Sequence, residues 1–336
     1  QSQSLTHDKD GDMIQRRQLI GHLAAAPLLA SLPARAQSYP DKPIRIIVPL
    51  PPGSPPDVLA RHLADAVSRN WKQTVIVENR PGATGMIGLQ ALARSAPDGY
   101  TLMQGYVATH GTAPATRKLP YDAEKDFTPI GMIGSTPNVL CINTSLPPQN
   151  IKAFLDYVKQ NPGRLSYGSA GAGSLTHLTA ELFKLQTNSF MVHIPYRGIA
   201  PAITDLIGGQ TQMMFPGLAA ALPHIRSGRI RAIAVTGSKR HPQVKDIPTL
   251  EEAGLKGFDA QQWYGVVGPA NMPAPIVKVL NDAILNVLAQ PDFKDKLSSE
   301  AVELMPMKPA EFAAYMKADL ARWTLLAKAR NIQLES

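Results

Sequence analysis

Hydrophobic residues follow two spacings along the chain from Ile44 onward. The unbroken apolar run Ile44–Val48 predicts a buried strand, and apolar residues at helical spacing between Leu59 and Trp71 predict a helix. The same succession of strand and helix continues beyond them. It is typical of mostly parallel sheets with helices packed on their faces, so we expect an α/β protein.

A second series of strands and helices begins near Val139 and ends in a predicted return strand at Gln262–Val267. Three helices then complete the chain, near 274–289, 292–299 and 309–329. Because these helices have no strands between them, they need an already formed sheet to pack on. This order indicates that one lobe is inserted into the other.

The length of 336 residues suits two domains of roughly 100–200 residues each. We predict a first lobe of residues 37–140 and 266–336, and a second lobe of residues 141–265. The chain is expected to cross between them near 138–143 and 264–268, and two such crossings form a hinge.

The residues before 37 have the features of an export signal. A twin arginine that starts at Arg16 precedes the apolar stretch Leu19–Leu32, and Ala34–Ala36 is an A-x-A cleavage sequence. The apolar stretch is too short for a membrane span and contains proline. We therefore expect residues 1–36 to be an N-terminal extension and signal peptide that is cleaved after Ala36, which places the protein in the periplasm.

The charge and cysteine content exclude several classes of function. The net charge of +8 is dispersed along the sequence, whereas nucleic-acid binding needs basic residues gathered on one face. A dispersed positive charge fits mild attraction of anionic solutes. The single cysteine, Cys141, excludes an internal disulfide and metal sites built from several thiolates.

Three loops between a strand and a helix are candidates for anion binding, because a helix N-terminus presents unpaired amides. They are the first loop (Pro49–Asp57), the second loop (Tyr167–Ser174) and the third loop (Pro195–Gly198). In the third loop Arg197 can clamp a carboxylate. Each loop also has a purely structural interpretation. The first can be a helix start capped by Ser54 and Asp57, the second a tight glycine turn, and the third a loop whose arginine is only a solvated charge.

Motifs for catalysis and metal binding are weak. The sequence contains no G-x-S-x-G, and His177 and Glu181 lie one helical turn apart without a third ligand at a supporting spacing. We therefore expect no enzyme activity, no metal and no cofactor.

Six motifs together resemble one family. They are Tyr39–Arg45, Val77–Gly85, Ala96–Leu102, Leu119–Asp122, Leu165–Gly171 and Pro223–Gly228. Over residues 39–332 the chain resembles the Bug-type solute-binding proteins of tripartite tricarboxylate transporters. The resemblance implies a type II-like two-lobe periplasmic binding protein fold. It also implies a small carboxylate ligand and the membrane subunits of the transporter as partners, and we expect a monomer that binds no nucleic acid.

The resemblance further implies that the three loops contact the ligand. The matching positions are Gly53, Ser54 and Asp57 in the first loop, Ser169, Ala170, Gly173, Ser174 and His177 in and after the second, and Tyr196 and Gly198 in the third. We add Arg197 as a clamp. Tyr106 and Phe215 are added as aromatic lining, although both residues fit a hydrophobic core equally well.

Two departures from the family pattern bear on the ligand. Ser54 replaces a glycine, and it is followed by Pro55 and Pro56, which have no N–H to offer an anion. Pro216 stands where many relatives carry an acidic residue, which argues against a ligand with an amino group. We therefore expect a dicarboxylate or an aromatic acid. The alternatives are a ligand-sensing module for a membrane kinase and a periplasmic hydrolase that uses His177.

Overall fold

The computed structural model describes residues 39–82 and 85–334. The predicted signal peptide, residues 1–36, and its cleavage site after Ala36 lie outside the described residues. Residues from Lys42 onward form one unit that contains both sheets.

The described strands are β1 (Ile44–Val48), β2 (Val75–Asn79), β3 (Thr101–Tyr106), β4 (Phe127–Pro137), β5 (Val139–Asn143), β6 (Ser166–Ser169), β7 (Val192–Pro195), β8 (Met213–Met214), β9 (Ile230–Val235), β10 (Gln261–Pro269) and β11 (Glu303–Leu304). The helices are α1 (Pro55–Trp71), α2 (Met86–Ala93), α3 (Ala113–Thr116), α4 (Ile151–Gln160), α5 (Leu175–Thr187), α6 (Ile199–Ile207), α7 (Leu218–Arg226), α8 (Ala274–Leu288), α9 (Pro291–Ser299) and α10 (Pro309–Ala329). A π-helical turn, Ala108–Thr112, leads into α3, and a 3-10 turn covers Pro242–Val244.

The strands form two sheets. The first has the order β11-β4-β10-β3-β1-β2, with β1 parallel to β2 and β3 and with β10 antiparallel to β3 and β4. The second has the order β7-β6-β8-β5-β9, with β6 parallel to β7 and β8. We call each sheet with its helices a lobe. The predicted α/β fold with two lobes, one inserted into the other, is confirmed.

The chain passes from the first sheet to the second at Asn138, between β4 and β5. The return lies before Gln261, earlier than the predicted 264–268, because β10 pairs with β4 from Gln261 to Pro269. Thr236 links the two crossings, since its Oγ1 accepts the N–H of Asn138 at 2.9 Å and lies 2.5 Å from the carbonyl oxygen of Ala260, just before β10. The lobe boundaries given above stay predictions.

Four elements of the fold were not predicted from the sequence: the short α3 and β11, and the longer β4 and α7. The eleven residues of β4 contain two glycines and two prolines, which hide its strand pattern. Gly134 of β4 is required by packing, since a Cβ there would lie 2.4 Å from the carbonyl oxygen of Glu303 on β11. Helix α7 carries Pro223 in its interior, a residue that normally marks the end of a helix.

The cores of the two lobes are apolar. In the second lobe α6 and α7 pack on the sheet through fully buried residues such as Leu206 and Leu218. Cys141 belongs to this core and is fully buried, as its apolar sequence context predicts, and burial raises the pKa of its thiol. Among the described residues no helix is long and apolar enough to cross a membrane.

Candidate functional site

A cavity of about 560 Å³ lies between the two lobes. The first lobe contributes Leu50, Pro55, Pro56, Tyr106, Val107, Ala108, Thr112, Ala113, Arg117, Thr136, Gln262 and Tyr264 to its lining. The second lobe contributes Ala170, Gly171, Ala172, Gly173, Ser174, Leu175, Thr176, Ile199, Gly217, Ala219 and Ala220.

Besides the four-residue α3, four helices begin at this cavity. Because β6, β7 and β8 are parallel, their carboxyl ends lie at one edge of the second sheet, and α5, α6 and α7 start there. Helix α1 starts on the opposite side, after β1 of the first sheet. A helix N-terminus carries a partial positive charge, so the cavity favours an anion.

The first loop is tied to itself and offers no amide to the cavity between Gly53 and Pro56. The N–H of Gly53 donates to Asp57 Oδ2 at 2.8 Å, and that of Ser54 to the carbonyl oxygen of Pro51 at 3.3 Å. Pro55 and Pro56 have no N–H. The reduction of amides that the sequence indicated is therefore present in the structure.

Asp57 is the anchor of this loop. Its carboxylate is buried and accepts hydrogen bonds from Gly53, from Arg61 Nε at 3.0 Å and from Asn79 Nδ2 at 2.8 Å. Burial raises the pKa of Asp57, but the bonds from Arg61, Gly53 and Asn79 outweigh burial and lower it. Ser54 occupies the N-cap position of α1, but its hydroxyl makes no capping bond, so the capping box suggested by the sequence is not formed. Asp57 instead accepts the N–H of Gly53.

Most amides of the second loop are already bonded within it. The N–H groups of Ala170, Gly171 and Gly173 donate to Thr176 Oγ1, Ser169 Oγ and His177 Nδ1, at 2.8, 3.1 and 3.0 Å. In the part of the chain that the structure describes, the amides of Ala172, in the loop, and of Leu175 and Thr176, at the start of α5, have no partner. All three residues line the cavity, and the N–H groups of Leu175 and Thr176 also lie at the positive end of the helix dipole, which favours an anion.

A row of stacked rings supports the second loop from behind. His177 and His193 stack with ring centroids 4.0 Å apart, and Tyr167 stacks on His193 at 4.8 Å. Ser169 Oγ lies 2.6 Å from His193 Nε2. Burial lowers the pKa of His177 to about 4 and that of His193 to about 4, so both rings are neutral at pH 7.

The buried Glu181 continues this cluster toward the other lobe. It accepts hydrogen bonds from Tyr167 and Lys184 at 2.5 Å, and from Arg330 Nε, which follows α10, at 2.6 Å. Burial raises the pKa of Glu181, but the bonds from Lys184, Tyr167 and Arg330 outweigh burial and lower it to about 2. The Glu181–Arg330 ion pair thus joins the second lobe to the last helix of the first.

The third loop lies beside the cavity. Tyr196 donates its hydroxyl proton to Asp205 Oδ2 at 2.7 Å, Arg197 is exposed, and Gly198 begins α6. None of these three lines the cavity, although the next residue, Ile199, does.

The structure brings four of the predicted site residues to the cavity: Tyr106, Ala170, Gly173 and Ser174. The others lie in the loops and clusters described above or, for Phe215, in the core, where its ring stacks on Phe258 at 6.2 Å. Ligand contacts at any of these positions stay predictions.

Six polar residues at the cavity were not predicted from the sequence: Thr112, Arg117, Thr136, Thr176, Gln262 and Tyr264. Thr136 and Gln262 face each other on β4 and β10, and Tyr264 pairs with Tyr106 on β3. The residues that these strand pairs bring together are far apart in sequence, so spacing alone does not reveal them. Burial raises the pKa of the hydroxyls of Tyr106 and Tyr264, which therefore stay protonated and can donate hydrogen bonds.

Metal ligands do not gather at this site. Among residues 39–82 and 85–334 no group of three or more His, Cys, Asp or Glu side chains is arranged to hold a metal ion.

The sequence and structure match known proteins over most of their length. The family model described as tripartite tricarboxylate transporter family receptor matches residues 59–332. BugT of Bordetella pertussis is 33% identical over 323 residues, which cover 94% of this chain and 98% of BugT.

Two solved structures from Rhodopseudomonas palustris are similar. One, determined with adipate, has 33% identity and a TM-score of 0.78, and the match covers 89% of this chain and 100% of that protein. The other is MatC with bound malate, with 32% identity, a TM-score of 0.73 and coverage of 86% and 99%. The chain therefore belongs to the tripartite tricarboxylate transporter receptors, the Bug-type family that its motifs resemble.

Proposed function

We propose that this protein is an exported solute-binding protein that captures a small carboxylate between its lobes in the periplasm and delivers it to the membrane subunits of a tripartite tricarboxylate-type transporter. The observation that carries the proposal is the cavity at which α1, α5, α6 and α7 begin. Its lining, as far as the chain is described, includes no acidic side chain.

The ligand class follows from this chemistry. Helix N-termini and the guanidinium group of Arg117 stabilise a bound anion, whereas a ligand ammonium group would find no carboxylate in the described lining to pair with. The similar proteins that were solved with adipate and malate support a carboxylate ligand. The expected ligand is a dicarboxylate or an aromatic acid.

Contacts between the lobes support capture by closure. Arg117 of the first lobe donates to the carbonyl oxygen of Ala172 in the second at 3.3 Å, and Arg330 pairs with Glu181. Because Thr236 bonds both Asn138 and Ala260, the two crossings are linked and can act as one hinge.

Hydrolysis is less consistent with the geometry. Ser169 and His193 lie within hydrogen-bonding distance, but Ser169 is fully buried, and its hydroxyl oxygen also accepts the N–H of Gly171. A nucleophile must reach its substrate, and this hydroxyl lies behind the cavity wall. His177 is likewise engaged, as the acceptor for Gly173.

A thermal-shift screen of the purified protein with monocarboxylic, dicarboxylic and aromatic acids tests the proposal. A ligand at about 100 times its Kd should add about 2.7 kcal/mol to stability and raise the Tm by several degrees. The matched carboxamides serve as controls and should give no shift, because they lack the charge. The absence of a shift with every acid would overturn the proposal.

A further inference from the structure

Arg117 is the one charged side chain among the described residues that line the cavity. It follows α3 on the first lobe and reaches the second loop, where one Nη donates to the carbonyl oxygen of Ala172 at 3.3 Å. Its Nε is buried and, among the described residues, has no partner. The guanidinium group therefore has donors left for a ligand.

The start of α5 lies beside this guanidinium group. A Cβ placed on Gly173 would be 3.3 Å from an Nη of Arg117, and Gly173 immediately precedes Ser174, the N-cap of α5. The unpartnered amides of Leu175 and Thr176 follow. A carboxylate at this point would meet a cation from one lobe and amides from the other.

Thr136 gives a second and independent sign of a ligand. Its side chain is only 2% exposed and lines the cavity, yet within the described chain its hydroxyl has no hydrogen-bond partner. A buried hydroxyl without a partner is costly, so a bound molecule or a water that accompanies it is expected to complete the site.

The remaining lining provides no second site for a charge. Apolar residues dominate it, among them Leu50, Pro55, Pro56, Val107, Ile199 and Ala219. The other polar side chains are neutral, as with the hydroxyls of Tyr106 and Tyr264. The N-termini of α6 and α7 are present, but no cation of the described lining accompanies them, and α6 also lacks the amide of Pro201.

We propose that the ligand carries a single carboxylate, bound between Arg117 and the start of α5, and that the rest of the ligand is uncharged and largely apolar. This inference rests on the proposed function. Of the two ligand classes expected there, it excludes the dicarboxylates and keeps acids with a single carboxylate, aromatic acids foremost. A second carboxylate in the apolar part would lose its hydration without gaining a counter-charge.

Two matched pairs of acids test the ligand class: 4-methylbenzoate against terephthalate, and hexanoate against adipate. Within each pair a methyl group is exchanged for a carboxylate at the far end. The comparison uses the pair that binds more tightly to the purified protein in calorimetry. Within that pair, the Kd of the monoacid should be at least about tenfold lower than the Kd of the diacid. A diacid that binds as tightly as its monoacid, or more tightly, would overturn the inference and leave the proposed function standing. Absence of binding by all four would overturn both.

The variant Arg117→Gln tests the anion site, with Lys118→Gln as the matched control. Lys118 is the exposed neighbour and does not line the cavity, so its loss changes the net charge equally. Arg117→Gln should weaken 4-methylbenzoate binding by about tenfold or more, and Lys118→Gln by less than about twofold.

A second readout separates ligand binding from a merely structural role of Arg117. The preference for 4-methylbenzoate over 4-methylbenzamide should fall strongly in Arg117→Gln and recover in Arg117→Lys, which restores the charge. If acid and amide weaken by the same factor in Arg117→Gln, the guanidinium group does not contact the carboxylate and the inference is wrong.

Discussion

The backbone N–H of Gly173 donates a 3.0 Å hydrogen bond to Nδ1 of His177, and this bond ties the second loop to the first turn of α5. Gly173 has a φ of +75°, a conformation that a residue with a side chain adopts only with strain. The bond holds the loop at the cavity, where Gly173 faces the first lobe.

Replacement of Gly173 should separate the lobes. In Gly173→Ala the new Cβ would lie 2.5 Å from Leu334 Cδ1 and 2.9 Å from Thr116 Oγ1, and that hydroxyl is held by its bond to the carbonyl oxygen of Thr112. We expect acid binding to weaken by about tenfold or more in calorimetry.

Gly228→Ala is the matched control for this variant. Gly228 has a φ of +68°, but a Cβ there would meet nothing within 4 Å. Gly228→Ala should lose about 1 kcal/mol in the free energy of unfolding, because alanine is strained at a positive φ, and it should bind acids with normal affinity. Equal affinities of the two variants would show that the lobes do not close at Gly173.

His177 should make the protein less stable in acid. Burial lowers its pKa from an ordinary 6.5 to about 4, while nearby Glu181 favours and Lys184 disfavours the charged ring. As the pH falls from 6.5 to 4, the unfolded state takes up a proton before the folded state does, so the free energy of unfolding decreases. The stacked His193 acts in the same direction.

Denaturant unfolding at several pH values measures this effect. In His177→Gln, whose side-chain oxygen can still accept the Gly173 N–H, the loss between pH 6.5 and 4 should be shallower by up to about 1.4 kcal/mol per pH unit. Parallel curves for the two proteins would contradict the assignment of a neutral, buried ring.

Removal of Glu181 should be costly. Glu181→Ala leaves the buried ammonium of Lys184 and the guanidinium of Arg330 without their carboxylate, and we expect a loss of about 3–5 kcal/mol in the free energy of unfolding. The exposed pair Lys278–Asp282 on α8 provides the control, since Asp282→Ala should cost less than about 1 kcal/mol. Similar losses in both variants would mean that the Glu181 cluster is solvated.

Asp57 should control the stability of the first loop. Asp57→Ala removes the acceptor for Gly53, Arg61 and Asn79, and we expect a loss of about 2–4 kcal/mol in urea unfolding. Asp65→Ala, at an exposed position of the same helix, should change stability by less than about 1 kcal/mol. A loss of stability confined to Asp65→Ala would show that Asp57 does not anchor the first loop.

Long amphipathic elements could be predicted from the sequence because their spacing is a local property. Helix α8 covers Ala274–Leu288, close to the predicted 274–289, and α10 covers Pro309–Ala329 as expected. Strand β4 could not be predicted, because its glycines are required by close packing against residues far along the chain, such as Glu303. The sequence does not contain that contact in any local pattern.

The candidate site was predictable only in part for a similar reason. The second loop could be recognised from its small residues. The sequence does not reveal which of its amides are already bonded, such as that of Gly171, which donates to Ser169 Oγ. Arg117 and Thr136 come to the cavity through the fold of the first lobe and not through a motif. The hydrogen bonds of the folded loop determine which of its amides are free, and long-range strand pairing determines which other residues reach the cavity. Neither can be read from a sequence motif.

A crystal structure of the protein with its tightest-binding acid tests the central claim most directly. We predict one ligand in the cavity between the lobes, with carboxylate oxygens within about 3.2 Å of the Leu175 or Thr176 amide and of the Arg117 guanidinium. A ligand found outside this cavity, or one whose carboxylate points away from α5, would contradict the account.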